Sequence, residues 1–455
     1  MNFDNFFHPR TMAVIGVSTS NDLHPANVVY GKNLLRYPVK VFPVNPKGGT
    51  LLSQKVYRKI TDIEEELDLA IIAVRADLVP ATVRECAAAG VKGAIVISGG
   101  FAEAGRNDLQ EEMLAEAEKG NLPVIGPNCL GIFTPAHVDT FFLPSERTVQ
   151  PGSGNVGIVS QSGGILVDLL VKFADEGIGL SSAVSIGNKA MIRELSLLDH
   201  FIHDPLTGVI VFYIEGFREN EGREFVIAAK NSPKPVVVLK SGKTAGGVRA
   251  VSSHTASLAG DYHVFKSVLE QHGVYVAANE LELTSYCEAL SCYEKPAGGR
   301  IGIVSGSGGH GALAVDSCAA YGLSAEEFPI PLQEDLRRVL SDSIKGIASV
   351  ANPIDLTGSA LEHDFEATVE TLSKSDQIDC ILLLLLPYLP GISSDLGARI
   401  SMIYRREGKP LIAYVPHVEK FRMLIEGFEL NRVPVASSIE SAVMMAKALT
   451  GKRNG

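Results

Sequence analysis

The chain reads as an α/β protein built from three parallel, doubly wound units. Three observations predict this. Short β-branched runs alternate with amphipathic segments along the whole length, the pattern of parallel sheets covered by helices. Two Pro- and Gly-bearing stretches, 133–154 and 294–299, divide the chain into segments 1–132, 155–292 and 300–455. The stretch Gly157-Ile158-Val159-Ser160-Gln161-Ser162-Gly163-Gly164 returns, with one substitution, as Gly302-Ile303-Val304-Ser305-Gly306-Ser307-Gly308-Gly309. The second and third units therefore look like two copies of one architecture.

Composition bounds the function. With 46% apolar and 20% charged residues the chain fits a soluble globular protein. A net charge of -11 argues against a nucleic-acid or anionic-membrane surface. The six cysteines, at 86, 129, 287, 292, 318 and 380, form no C-x-x-C. Neither a zinc site nor a disulfide framework is expected, no metal ligand set is assigned, and a reducing cytoplasm fits best. The start of the chain lacks a signal-peptide core, and the longest apolar run, 381–386, is far too short to span a bilayer.

In the first unit, strands are expected at 12–17, 39–44, 69–74, 94–98 and 123–125, with helices at 78–89 and 108–119. Gly16 and Ser18 follow the first strand, where a dinucleotide fold keeps its phosphate turn, yet the G-x-G-x-x-G pattern is absent. Lys47 follows the second strand, where an NAD site offers a carboxylate. It suits a phosphate-bearing nucleotide, or it is a turn lysine facing water. Ser98 and Asn128 lie in Gly-rich turns after the fourth and fifth strands, at the edge where such sheets bind ligands.

The second unit is expected to have strands at 156–160, 182–186, 208–214 and 235–239 and a helix at 261–271. The third has strands at 300–305, 323–326, 380–386, 410–414 and 434–436. Each Ser/Gly repeat runs from a strand into a helix start. Gln161, Ser162, Gly163 and Gly164 in one copy, and Ser307, Gly308 and Gly309 in the other, thus offer free backbone N–H groups to an anion. Two such seats can face one phosphate.

Residues 245–260, small and without a hydrophobic period, are expected to form a long exposed loop carrying His254. Imidazole is a good nucleophile near neutral pH and can carry a phosphoryl group. Glu215 closes the third strand of this unit. It can accept a hydrogen bond from one ring nitrogen and leave the other to attack, or it is a strand-end carboxylate facing water. His310 reads as a helix N-terminal residue, and Asn352-Pro353-Ile354-Asp355-Leu356 as a turn.

Taken in order, residues 13–18, 44–48, 97–103, 126–131 and 157–164 resemble the α subunit of the NDP-forming acyl-CoA synthetases, above all the ADP-forming acetate–CoA ligases; succinyl-CoA synthetase α is more distant. The resemblance covers essentially the whole chain. It implies a Rossmann-like CoA-binding domain followed by two flavodoxin-like domains. Coenzyme A would lie with its phosphates near Gly16, Ser18 and Lys47 and against Ser98 and Asn128. His254, in its Ser-His-Thr setting, would be the phosphorylated histidine. The implied reaction converts acyl-CoA, ADP and phosphate into carboxylic acid, ATP and CoA. Mg²⁺ and ADP or ATP would sit on a separate ATP-grasp β subunit, in an α2β2 assembly. Two other readings are a CoA-binding regulator without chemistry and, opposed by the missing glycines and Lys47, an NAD(P) oxidoreductase.

Overall fold

The computed structural model describes residues 3–218, 220–254 and 261–451, with 251–254 described by backbone alone. The chain divides into two compact units, Met1–Ala278 and Asn279–Gly455.

The first unit holds two main sheets. Sheet one contains β1 (Thr11–Ile15), β2 (Lys40–Val44), β5 (Leu69–Ile72), β6 (Ala94–Val96) and β7 (Val124–Ile125), all parallel; a small hairpin, β3 (Thr50–Leu51) and β4 (Gln54–Lys55), follows β2. Sheet two contains β8 (Gly131–Thr134), β9 (Val138–Asp139), β10 (Ser153–Ser160), β11 (Leu180–Ser185), β12 (Val209–Ile214), β13 (Val236–Lys240) and β14 (Tyr275–Ala277). The second unit holds sheet three: β15 (Ile301–Ser305), β16 (Ile354–Asp355), β17 (Cys380–Leu384), β18 (Leu411–Tyr414) and β19 (Val435–Ala436).

The spatial orders are β2-β1-β5-β6-β7, β14-β13-β12-β10-β11-β8-β9 and β16-β15-β17-β18-β19. Setting aside the antiparallel β8–β9 extension, each sheet winds second, first, third, fourth, fifth. The order reverses between β1 and β5, β10 and β12, and β15 and β17. Ligands bind such sheets at the carboxyl edge of that crevice. The strands are Val/Ile/Leu runs because helices cover both faces: β12 and β13 are buried at every position.

Three expectations are corrected. The stretch 133–154 is not merely a link, since β8 and β9 lie within or across it, β8 pairing antiparallel onto β11 and β9 onto β8. Glu280–Cys292 does not close the second segment: Glu288 Oε1 accepts from Val435 N at 2.7 Å, so this helix is fastened to sheet three. Residues 323–326 form only an isolated bridge, Arg300 to Ser324, and the edge strand is β16 instead. Asn352 explains that substitution. Its Oδ1 accepts from Ile303 N (3.0 Å) and its Nδ2 donates to Ile301 O (3.0 Å), so the side chain completes the ladder along β15. The turn 352–356 therefore has a structural role.

One apolar core runs from Phe6, Phe7 and Tyr30 through Ile71, Ile95 and Ile132 to Phe201 and Phe212. This continuity makes sheets one and two a single compact body. A buried pair reinforces it: Lys32 Nζ, on the helix Pro25–Arg36, meets Asp139 Oδ2 on β9 at 2.7 Å.

Candidate active site

At the carboxyl edge of sheet one, Gly16 adopts φ +100°, and a Cβ there would stand 2.3 Å from Ala73 O. Only glycine fits this close crossing of β1 over the end of β5. Beyond it, Ser18 N donates to Asn27 Oδ1 at 2.7 Å, which ties the turn to the helix Pro25–Arg36. Asn45 Nδ2 donates to Val17 O (2.6 Å) and its Oδ1 accepts from Lys47 N (2.9 Å), bringing the exposed Lys47 beside that turn. Arg58, which the sequence reading missed, stands there too: a Cβ on Gly48 would be 3.2 Å from its Nε. Ser98 Oγ donates to Val74 O (2.5 Å), and Asn128 N donates to Ser98 O (2.9 Å). The segment Ala73–Val74 thus lies between the Gly16 turn and the Ser98–Asn128 pair, and all five residues share one edge.

Sheet two continues this edge. Ser162 caps the helix Gly163–Asp175, its Oγ accepting from Ile165 N at 3.4 Å, while Ser160 Oγ donates to Ser162 O (2.6 Å) and accepts from Ser162 N (3.1 Å). Ser, Thr, Asp or Asn at this position is the ordinary helix-start signal. A Cβ on Gly163 would be 2.9 Å from Leu130 Cγ, and one on Gly187 would be 2.3 Å from Asn128 O. A Cβ on Gly164, by contrast, would meet nothing within 4 Å. The segment carrying Asn128 therefore abuts an open helix N-terminus, whose partial positive charge suits an anion.

Gln161 departs from expectation. Instead of turning toward an anion, its side chain is buried: Oε1 accepts from Glu215 N (2.7 Å) and Gly216 N (3.2 Å), and Nε2 donates to Gly216 O (2.8 Å) and to Glu194. Its own N–H donates to Tyr213 O. All its donors are used inward, which removes it from the phosphate-binding set. Glu215, also expected, is 6% exposed, and its Oε2 is buried with no hydrogen-bond partner among the described residues. It is not the water-facing strand-end carboxylate of the alternative reading.

Three buried charged residues escaped the sequence reading. Lys189 Nζ donates to Glu194 Oε1 (2.7 Å) and Gly216 O (2.6 Å). Lys240, the last residue of β13 and paired in register with Ile214, donates to Glu215 O (2.7 Å) and to Ser241 O. Burial pulls the Lys240 ammonium down to about 8, against the raising influence of Glu215. The only signal for it was a lysine closing the run Val-Val-Val-Leu.

Residues 245–254 are a helix, Ala245–His254, rather than a loop. Thr244 starts it, with Oγ1 accepting from Gly247 N (3.1 Å) and O from Val248 N (2.8 Å). Gly246 and Gly247 masked the helical signal, because glycine is a poor helix former. The backbone of His254 ends this helix; its side chain, and residues 255–260, lie outside the described residues.

In the second unit the other Ser/Gly turn repeats the local hydrogen bonds: Ser305 Oγ donates to Ser307 O (3.0 Å) and accepts from Ser307 N (3.1 Å). Ser307 makes no side-chain cap to the helix Gly308–Ala320, however. A Cβ on Gly308 would be 2.9 Å from Asp355 Oδ2. A carboxylate thus stands beside this turn, where the first copy has Leu130. Gly309 is open, with only Ser307 Oγ near it, and His310 faces the Tyr414 ring with centroids 6.3 Å apart.

Residues 10–135 match a CoA binding domain, 153–290 a succinyl-CoA ligase like flavodoxin domain, and 301–423 a ligase-CoA domain. The α subunit of ADP-forming acetate–CoA ligase II from Pyrococcus furiosus is 34% identical over 99% of this chain and 100% of that subunit. The chain belongs to the ADP-forming acetate–CoA ligase family. An ADP-forming acetate–CoA ligase from Archaeoglobus fulgidus is 36% identical over 84% of this chain, which spans 55% of that protein; the share is 49% for a Methanocaldococcus jannaschii relative. The chain thus spans about half the length of these longer members. The dinucleotide-forming acetyl-coenzyme A synthetase 1 of Ca. Korarchaeum cryptofilum, solved with phosphate and ADP, superposes with a TM-score of 0.88 at 31% identity, covering 98% of this chain and 96% of that one. Among the described residues, no group of His, Cys, Asp and Glu could hold a metal ion, and no helix is long and apolar enough to cross a membrane.

Proposed function

We propose that the chain is the CoA-handling, phosphohistidine-bearing α subunit of an ADP-forming acyl-CoA synthetase. One observation carries the reading: Glu215 Oε2, at the crevice between β10 and β12, is buried and has no partner among the described residues. The helix bearing His254 leaves from β13, the strand beside β12. An acceptor held dry and unused is the group an imidazole N–H needs to fix its tautomer and leave the other nitrogen nucleophilic.

Coenzyme A would bind along sheet one with its phosphates toward Gly16, Ser18, Lys47 and Arg58. Ser98 and Asn128 would lead its thiol end toward the Ser162 helix start. The contact of Gly163 with Leu130 supports that path. Inorganic phosphate at Ser162, Gly163 and Gly164 attacks the thioester carbonyl and expels the CoA thiolate, giving an acyl phosphate. A ring nitrogen of His254 then attacks phosphorus and releases the carboxylate. The phosphoryl group, carrying about two negative charges by analogy with other phosphorylated side chains, needs the donors of the helix start. Transfer to ADP completes the reaction on a β subunit of the ATP-grasp type that carries the nucleotide and Mg²⁺, in an α2β2 assembly. Ser307, Gly308 and Gly309 are proposed as a second phosphate seat, tempered by Asp355.

Mass spectrometry of the chain mixed with its β subunit, ATP and Mg²⁺ tests this. Acid-labile phosphate on His254, absent from His254→Ala, is expected. Label on another residue, or CoA binding with no label at all, overturns the assignment.

A further inference from the structure

The Glu215–Gly216 backbone is gripped by three side chains from three different elements. Both of its N–H groups donate to Gln161 Oε1, at 2.7 and 3.2 Å. The Glu215 carbonyl accepts from Lys240 Nζ at 2.7 Å. The Gly216 carbonyl accepts from Lys189 Nζ at 2.6 Å and from Gln161 Nε2 at 2.8 Å. Gln161, Lys189 and Lys240 are 7%, 5% and 2% exposed, so water does not compete for these bonds. Glu194, fully buried, ties Gln161 to Lys189 and offsets the lysine charge. Four main-chain groups are thus satisfied by side chains, while the one carboxylate they carry keeps Oε2 without a partner among the described residues.

A buried lysine is costly, and one whose ammonium bonds carbonyl oxygens in place of a carboxylate needs a reason. Lys240 supplies one. Its ammonium also donates to Ser241 O, at the root of the segment that leads to the His254 helix. It therefore links the point where Glu215 leaves β12 to the point where the His254 segment leaves β13.

We infer that Lys240, with Gln161 and Lys189, is a positioning residue that sets the Glu215 carboxylate against the His254 segment without touching reacting atoms. The inference rests on the reading of His254 as phosphoryl carrier, but the cage itself is testable apart from it. Fixing a catalytic group from behind is effective because misplacement by about 1 Å can cost roughly 10²-fold in rate.

The test compares wild type, Gln161→Leu, Lys240→Met, Lys240→Arg, Glu215→Gln and the double variant Lys240→Met/Glu215→Gln, using the full chain. Hydrogen exchange of the peptide spanning 213–217 reads the cage directly. Gln161→Leu, which removes the acceptor of both N–H groups, is expected to speed exchange at Glu215 and Gly216 at least tenfold, and Lys240→Met to speed it by a smaller factor that Lys240→Arg partly restores. Unchanged exchange in Gln161→Leu overturns the cage. The second measurement is the rate at which acetyl phosphate labels His254. Lys240→Met should slow it about 10- to 100-fold with little change in the half-saturating acetyl phosphate concentration, and the double variant should be no slower than Glu215→Gln alone. Additive losses would show that Lys240 acts independently of Glu215 and defeat the inference. If wild type acquires no label on His254, the functional reading fails and hydrogen exchange still decides the cage. Should Lys240→Met not fold, Gln161→Leu carries both measurements, with the same outcomes deciding.

Discussion

Replacing Lys32 by Met removes one half of the buried pair that joins the helix Pro25–Arg36 to β9. Lys32 and Asp139 side chains are 6% and 1% exposed, and their atoms meet at 2.7 Å. Breaking a buried pair costs about 3–5 kcal/mol, because the remaining charge is stranded out of water. Asp139 would keep Phe141 N and Gln150 Nε2, each at 2.9 Å, so the lower end, about 3 kcal/mol, is expected. For a domain of this size about 1 kcal/mol shifts Tm by roughly 2 °C, which gives a fall of about 6 °C. The chain contains no tryptophan, so melting is followed by far-UV circular dichroism or calorimetry. Because the pair is dry, the loss should be nearly the same at low and high salt. Adding Asp139→Asn removes the stranded charge and should recover at least half of it. A Lys32→Met melt within 1 °C of wild type, or a double variant less stable than the single, would refute the account.

Other consequences are equally direct. Gly16→Ala, with its Cβ 2.3 Å from Ala73 O at φ +100°, should lose more than about 1 kcal/mol of stability and most of its CoA affinity, measured by denaturant titration and calorimetric binding. Thr244→Ala removes the helix cap at Gly247 N and should cost the Ala245–His254 helix about 1 kcal/mol, read as faster hydrogen exchange there with the global melt unchanged. Lys240 predicts a pH effect of defined sign. The folded chain releases this proton near pH 8 and the unfolded chain near 10.5, so the unfolded state holds more protons between those values and stability rises with pH through that window, by up to about 3 kcal/mol. Urea unfolding at pH 7.5 and 9.5 should show the rise in wild type and its loss in Lys240→Met; a wild-type slope of opposite sign refutes the assignment.

Much of the fold was legible because parallel strands covered on both faces must be continuous apolar runs. Those of β1, β12 and β17 are unmistakable, and thirteen of the fourteen expected strands start within about three residues of observed ones. The failures have physical causes. β9 and β14 are two and three residues long, too short for any period to register. Leu323 has the apolar character of a strand, but the Asn352 side chain takes the ladder positions along β15 that such a strand would use. At the site, Ser162, Gly163 and Glu215 were legible from their positions after strands. Lys189, Glu194 and Lys240 were not, because local sequence marks a buried charge no differently from an exposed one. Their partners are supplied by residues up to 33 positions away.

The hairpin of β8 and β9 extends sheet two from a segment that sequence alone assigns elsewhere. Its presence covers Ala183–Ser185 of β11, which would otherwise expose unpaired amides and carbonyls to any passing strand. Anyone trimming this protein to the portion around sheet two should therefore begin upstream of residue 131. A version cut at the more inviting glycines near 152 would leave a sticky rim and precipitate in place of behaving as a free-standing module.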